Sequence, residues 1–451
     1  MGCPGGGPRG GGGGGGPMPG GSGATEMIST DALQEMRVQT STIAPEFGRS
    51  PGAQIVMTSR AGSNRYHGSL FYYFRNDKFD ANDWVANAGG YGKGKESQNR
   101  PGFVFGGPII KSKTFFFLSY EDLRLTSPET VIASVPSLAT RASASAALRP
   151  YLNAFPLPNG VLLDDGAAQY RAVVSNPTRN RSVSLRIDHS LTSRINVFAR
   201  YSITPPTSSE RRGSDMSTPN LLSTQSSHSQ TATVGTTRTT AGGLLNDLRV
   251  NFSNFSNSNR TVMDNYGGAV PLTDSQLFPK GVTSATGTFS LSLMGLTSYS
   301  IGAPTSNSQE QVNVVDSVSK TAGPHQLKAG VDFRRTMATN HRAAYSESVS
   351  FNGLSVNSYS FLTGVALNAM VSSSVTTVYP TYQNLSAYAQ DAWRMSRWTT
   401  VTFGLRWDVN PAPFSRRGPQ PFAISSDEIA GVTQNDPMYK TRWYNIAPRA
   451  G

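Results

Sequence analysis

The chain has 451 residues, 37% of them hydrophobic and 15% charged, and its 40 Lys+Arg against 28 Asp+Glu give a formal net charge of +12. No run of about 18 apolar residues occurs; this excludes a membrane-spanning helix but not a barrel, whose strands show lipid only every second residue. The basic residues are scattered, the densest groups being Arg211-Arg212, Arg334-Arg335 and Arg416-Arg417, so no phosphate-tracking nucleic-acid surface is expected, and anionic headgroups or an anionic solute suit the charge better.

In chain order, Met1–Gly23 is almost all Gly and Pro, too poor in apolar surface to offset its ordering entropy, so residues 1–24 are expected to be disordered. It has neither the basic n-region nor the apolar h-region of a signal peptide. Thr25–Gly62 reads as a small α/β piece. A short helix begins near Asp31, strands lie at Met36–Thr40 and Gln54–Ser59, and the Pro/Gly-rich stretch 44–52 is a loop. It is too short to be a domain alone and must pack on something else.

From Tyr66 the chain becomes serial β-structure. The stretch 62–124 holds strand-like runs at Tyr66–Arg75, Gly102–Ile110 and Thr114–Leu125, dense in Phe and Tyr, which would fit the aromatic girdle of a membrane barrel. Further on, apolar and polar residues alternate. Val183, Leu185 and Ile187 alternate with Ser184, Arg186 and Asp188. Ile195, Val197, Ala199 and Tyr201 alternate with Asn196, Phe198, Arg200 and Ser202, Phe198 being the exception. Leu327, Ala329, Val331 and Phe333 alternate with Lys328, Gly330, Asp332 and Arg334; Val401, Phe403, Leu405 and Trp407 alternate with Thr402, Gly404, Arg406 and Asp408. Such alternation fits either a soluble sandwich or a membrane barrel. The links favour the barrel: short ones at 111–113, 190–193, 242–243, 322–324 and 395–397 alternate with long ones at 76–101, 126–180, 257–310 and 339–382, as with periplasmic turns and extracellular loops. About twelve strands result. The polar-face charges Arg186, Asp188, Arg200, Lys328, Asp332, Arg334, Arg406 and Asp408 are then the candidates for facing a lumen.

Catalytic and metal signals are weak. Gly89–Lys95 resembles a P-loop, but Glu96 stands where a hydroxyl should follow. Glu121 and Asp122 are strand neighbours and must point to opposite faces. Cys3 is the single cysteine, and the five histidines are isolated, so no cofactor or metal is expected. No nucleophile elbow or triad context is found, and the chain is read as a non-enzyme. Trp393, Trp398 and Trp407 are read as interfacial anchors, with a sugar-stacking platform as the sharper alternative.

Several segments resemble the TonB-dependent outer-membrane receptors of the Oar-like, carboxypeptidase-regulatory-domain type. Asp31–Asp77 is similar to the end of that family's plug followed by its first barrel strand. Phe105–Arg124, Gly323–Arg335 and Leu385–Asp408 are similar to further strands and hairpins, and Asn445–Gly451 (NIAPRAG) to its N-F-A-P-R-L-G. The resemblance implies a mainly β fold: a transmembrane antiparallel β-barrel of about 22 strands, of which about half is here, preceded by the last part of an α/β plug. Residues 25–64 would be the C-terminal part of that plug, and residues 65–451 the N-terminal part of the barrel with long extracellular loops. It also implies an outer-membrane location, TonB and its inner-membrane energising complex as partners, and outer-membrane lipid around the wall. The solute is unidentified, an oligosaccharide or a peptide. On the family's pattern the chain lacks the signal peptide, the N-terminal sandwich domain, the TonB box and most of the plug. A structural or adhesive barrel without transport is the alternative.

Overall fold

The computed structural model describes residues 30–39, 44–48, 54–211, 217–293, 297–351, 363–373, 377–421 and 437–450. The glycine-rich start lies outside the described residues. A 3-10 turn, Thr30–Ala32, takes the place of the expected helix. It leads into β1 (Leu33–Gln39), which pairs antiparallel with β2 (Gln54–Ser59) as a separate two-stranded sheet.

The remaining strands form the wall of a barrel. They begin with β3 (His67–Asn76), β4 (Ser97–Ile110), β5 (Thr114–Pro136), β6 (Ala167–Thr192) and β7 (Ile195–Thr204). Then come β8 (Thr207–Glu210), β9 (Leu221–Thr239), β10 (Leu245–Met263), β11 (Gly287–Leu293), β12 (Thr297–Ala322) and β13 (His325–Arg342). The last are β14 (Tyr345–Phe351), β15 (Asn368–Ser373), β16 (Thr377–Val378), β17 (Pro380–Arg394), β18 (Thr400–Val409), β19 (Phe414–Ser415) and β20 (Ile446–Ala450). Proline-bearing breaks split single passes, as at Pro205-Pro206 between β7 and β8 and at 410–413 between β18 and β19, because proline cannot donate to the ladder. Counting β7 with β8, β16 with β17 and β18 with β19, and leaving β11, β14 and β15 to the cap described below, twelve passes among the described residues make the wall. The strand order is that of a barrel, but the paired registers end with β3 on β4 and β20 on β18, so the seam between β3 and β20 is not hydrogen-bonded among the described residues.

Register separates the two faces, because residues paired across strands share a face. One row runs Phe117, Arg186, Arg200, Thr233, Asn251, Asn313, Arg334, Asn384 across eight strands. The row one residue away runs Phe116, Ile187, Ala199, Val234, Val250, Val314, Phe333, Leu385, Val409. The second row is wholly apolar, and much of its face is open, Val234 at 53% and Leu405 at 47%.

The long links are shorter than the alternation suggests. β5 and β6 stay paired from Thr114↔His189 up to Pro136↔Ala167, and β10 pairs on to Met263. Crossing about 25 Å of hydrocarbon takes only about ten tilted residues, so these hairpins stand well clear of it. Above the wall they carry a cap. Helices α2 (Leu138–Ser143) and α3 (Arg149–Asn153) join β5 to β6, and α4 (Asp274–Leu277) precedes β11. A further short helix, α1 (Trp84–Ala88), lies in the β3–β4 link, outside this cap. β11 pairs with the upper end of β12 and, in parallel, with β14; β15 pairs with β14. Leu148, Leu152, Phe155, Leu277, Phe289, Leu291, Tyr299, Ile301 and Phe351 bury one hydrophobic core here, together with Val135 of β5. Four passes of wall separate β5 from β12, about 24 Å along the sheet, so the hairpins lean together to meet. Buried Arg141 ties this core: its guanidinium donates to the carbonyls of Pro136 (3.1 Å), Phe155 (3.0 Å) and Pro156 (2.5 Å). Burial pushes its pKa down to about 10.

Gly302 is the joint between wall and cap. It has φ +116°, faces Thr261 of β10 and Thr288 of β11, and a Cβ there would lie 2.1 Å from the Gly287 carbonyl oxygen. Gly302→Ala is therefore expected to loosen the cap by roughly 1–3 kcal/mol, measured as faster amide exchange over 287–293 and 297–301 with the wall unchanged. A second tie joins Arg211 to Asp264: Nη1 donates to Oδ1 at 3.0 Å, Nη2 to Oδ2, and the guanidinium lies over Tyr266. Burial alone would raise the Asp264 pKa; hydrogen bonds from Arg211 and the Tyr266 N–H outweigh it and hold the carboxyl below its usual range. A depressed folded pKa means that the tie is complete above about pH 4 and is lost as pH falls through the folded value. Amide exchange at Tyr266 is expected to rise in that acid window, and not in Asp264→Asn, which lacks the titrating group.

Candidate functional site

The site is the polar face of the wall and the described parts of the preceding segment, 32–39, 44–48 and 54–60, that lie on it. The two are joined by cations of the wall that reach backbone carbonyls of the segment. Arg406, its side chain 1% exposed, donates from Nη1 to the carbonyls of Pro45 (3.0 Å) and Glu46 (3.2 Å), while Nε is held at 3.0 Å by both Asp408 oxygens. Asp408 is fixed in turn by the Ser386 hydroxyl at 2.6 Å. Arg449 donates to the carbonyls of Ala44 and Phe47, each at 2.8 Å. Lys328 pairs with the Glu46 carboxylate. On another strand of the same face Arg186 repeats the Arg406 arrangement: it grips Asp188 two residues on and donates from Nη1 to the Ser59 hydroxyl (3.2 Å) and carbonyl (3.3 Å).

The local sequence explains this geometry. Residues i and i+2 of a strand project from the same face, so Arg186 with Asp188, and Arg406 with Asp408, are preset neighbours. The carboxylate neutralises part of the guanidinium and fixes its plane, leaving the outer nitrogen for carbonyls. Phe198, the apolar intruder of its strand, lies under the Arg186 guanidinium at 5.0 Å, a cation–π contact that accounts for it. Close approach also needs small residues: a Cβ on Gly404 would lie 2.6 Å from the Pro45 ring.

All eight sequence candidates stand on this one face. Arg186, Asp188, Lys328, Arg406 and Asp408 take part in the grip on the segment. Asp332 accepts from the Asn313 amide at 2.6 Å. Arg200 and Arg334 share the polar row with Asn251 and Asn313 without reaching the segment through any described hydrogen bond. The sequence reading missed Glu46 and Arg449, and the pair Arg100–Glu121 (Nε to Oε1, 2.6 Å) on the same face. Arg449 lies in the NIAPRAG stretch, whose short alternation is a legible but faint signal. Asp122 points the opposite way from Glu121, to Arg124 and Arg179. The three tryptophans do not converge. Trp393 pairs with His325 near the short turns, Trp398 is 84% exposed in the 395–399 turn, and Trp407 donates to the Trp443 carbonyl at the far end of β18, so they make no stacking platform.

Removing one partner of a buried charged cluster costs about 3 kcal/mol. Arg406→Met is therefore expected to free residues 44–48 by roughly that amount, read as faster amide exchange at Phe47, with the β17–β18 ladder still protected.

Comparison with known proteins agrees with this architecture. The family described as "Outer membrane beta barrel domain" matches residues 58–149 and 142–451. The TonB-dependent transporter Oar of Myxococcus xanthus is 33% identical over 97 residues, which is 21% of this chain and 9% of that protein. The outer membrane transporter YddB from Escherichia coli superposes with a TM-score of 0.54 at 12% identity, over 86% of this chain and 45% of that one. At that identity the likeness is one of fold, and the chain spans less than half the length of either protein. The wall, its apolar face and the family match together make the chain a member of the outer-membrane β-barrel domain family, located in the outer membrane.

Proposed function

We propose that this chain is part of a TonB-dependent outer-membrane transporter that takes up a polar solute, an oligosaccharide or a peptide. Residues 25–64 serve as the last part of the plug and residues 65–451 as the first part of the barrel. The observation that carries this reading is the grip of Arg186, Lys328, Arg406 and Arg449 on the carbonyls of Ala44–Phe47 and Ser59 and on the Glu46 carboxylate. A structural pore filler needs only to fill space. These contacts are hydrogen bonds and ion pairs that water can replace, which suits a segment that must be displaced and return. The polar face then lines the lumen, with Arg186, Asp188, Arg200, Lys328, Asp332, Arg334, Arg406 and Asp408 meeting plug or solute, and the apolar face meets lipid. TonB and its inner-membrane energising complex supply the work through the plug. The chain has no enzymatic role and needs no cofactor.

In cells expressing the full-length protein, uptake of labelled oligosaccharides or peptides is expected to fall to background when TonB is deleted or the proton gradient collapsed. The packed cap favours a second reading, an adhesive barrel with the cap as contact surface. Uptake indifferent to TonB, with adhesion lost on deletion of the gene, would replace the first reading by the second.

A further inference from the structure

The apolar face carries a charged cluster that the lumen reading does not use. On that face the rows rise from the short turns through Phe105, Leu118 and Leu185 to Phe103, Tyr120 and Val183. Phe103 and Tyr120 stack with ring centroids 5.8 Å apart. The next pair is Asp122↔Arg181 and the one above it Arg124↔Arg179. From Leu191 at the turn to Arg181 is about ten residues, the rise needed to cross the apolar band of an outer-membrane barrel. The cluster therefore stands at the upper edge of that band, directly above its aromatic residues, on the side of the cap.

Its construction suits an anionic ligand. Asp122, 2% exposed, braces two arginines: Arg124 at 2.9 Å and Arg179 at 3.1 Å. Their side chains remain 62% and 49% exposed, with nitrogens left over. Arg181 is exposed and makes no hydrogen bond or ion pair among the described residues. Three arginines around one aspartate leave a charge of +2 directly above the apolar rows of these strands. Tyr72 adds a polar neighbour by donating to Asn99, which pairs with Arg124.

We propose that Arg124, Arg179 and Arg181 dock the phosphate groups of an outer-leaflet glycolipid whose acyl chains lie on the apolar band below. Guanidinium forks match phosphate oxygens, and the aromatic band fixes the headgroup level. The charge on a lipid-facing surface and the continuity with that band favour a lipid over an acidic protein. The inference rests on the face assignment above, and not on transport.

The test is native mass spectrometry of the full chain in detergent with bis-phosphorylated lipid A, and with the same lipid stripped of its phosphates. The phosphorylated form is expected to be retained preferentially. Near a charged headgroup each arginine contributes about five-fold, so Arg179→Gln/Arg181→Gln should weaken retention about thirty-fold and Arg181→Gln alone about five-fold. Arg181→Lys should keep most of it. Because Arg181 braces nothing, its variants leave the fold intact even if the double variant does not. Equal retention of the two lipids, or no loss in Arg181→Gln, overturns the proposal, as does retention of an acidic peptide in preference to the lipid. A fluorophore on Val183→Cys in a Cys3→Ser background, quenched by a lipid-soluble nitroxide, checks the face itself. Quenching with failed lipid A retention removes the phosphate site alone; absence of quenching removes the face assignment.

Discussion

Two rows of side chains, one residue apart on a continuously hydrogen-bonded sheet, are the constraint on which the rest depends. A slip of one residue between β10 and β12 would bring Val314 opposite Asn251 and carry every later strand to the wrong face. The register holds because every pass between β3 and β20 is hydrogen-bonded to a neighbour on both sides, as a sheet standing in hydrocarbon requires. Once the register is set, the apolar row from Phe116 to Val409 has one environment and the row from Phe117 to Asn384 another.

That separation lets the wall hold charge without scattering it. Arg186 and Arg406 each carry their own counter-ion two residues away, so the guanidinium arrives at the inner segment already oriented and partly neutralised. What it then contacts is mostly backbone. Carbonyls accept without needing a particular side chain, so a segment with the loop sequence Ala44–Gly48 can be held firmly although it has little to pack with. The same device appears in the cap, where Arg141 is satisfied by three carbonyls and has no carboxylate among its described hydrogen bonds. Buried hydrogen bonds of this kind are individually modest but costly to leave half made.

Among the described residues the largest hydrophobic core is not in the barrel but above it. A barrel wall buries its apolar face against lipid and leaves its interior polar, so the chain's own core forms where three links rise clear of the membrane. Gly302 marks the change of regime: below it β12 is a wall strand on β10, above it a cap strand on β11. The face that looks outward between these zones ends in an aromatic band and then in the Asp122 cluster, where apolar surroundings give way to charge within one pair of residues.

Much of this was legible in the sequence, and for a simple reason. Alternation is a property of neighbouring residues, so the strands, their short turns and the common face of all eight charged candidates follow from local order. So does the opposed aim of Glu121 and Asp122. The extent of the long hairpins was not legible. Residues 126–136 and 167–180 lack clean alternation because, above the membrane, both faces meet protein or water and the two-sided pattern is no longer enforced. The grip of Arg406 on Pro45 and Glu46, across 361 and 360 residues of chain, was hidden for another reason: backbone carbonyls carry no sequence signature. By itself, then, the sequence determined which residues share a face, because the pleat repeats every two residues. Only the tertiary structure decided which segment lies on that face and which loops share a core, because those contacts depend on closure of the chain over long separations.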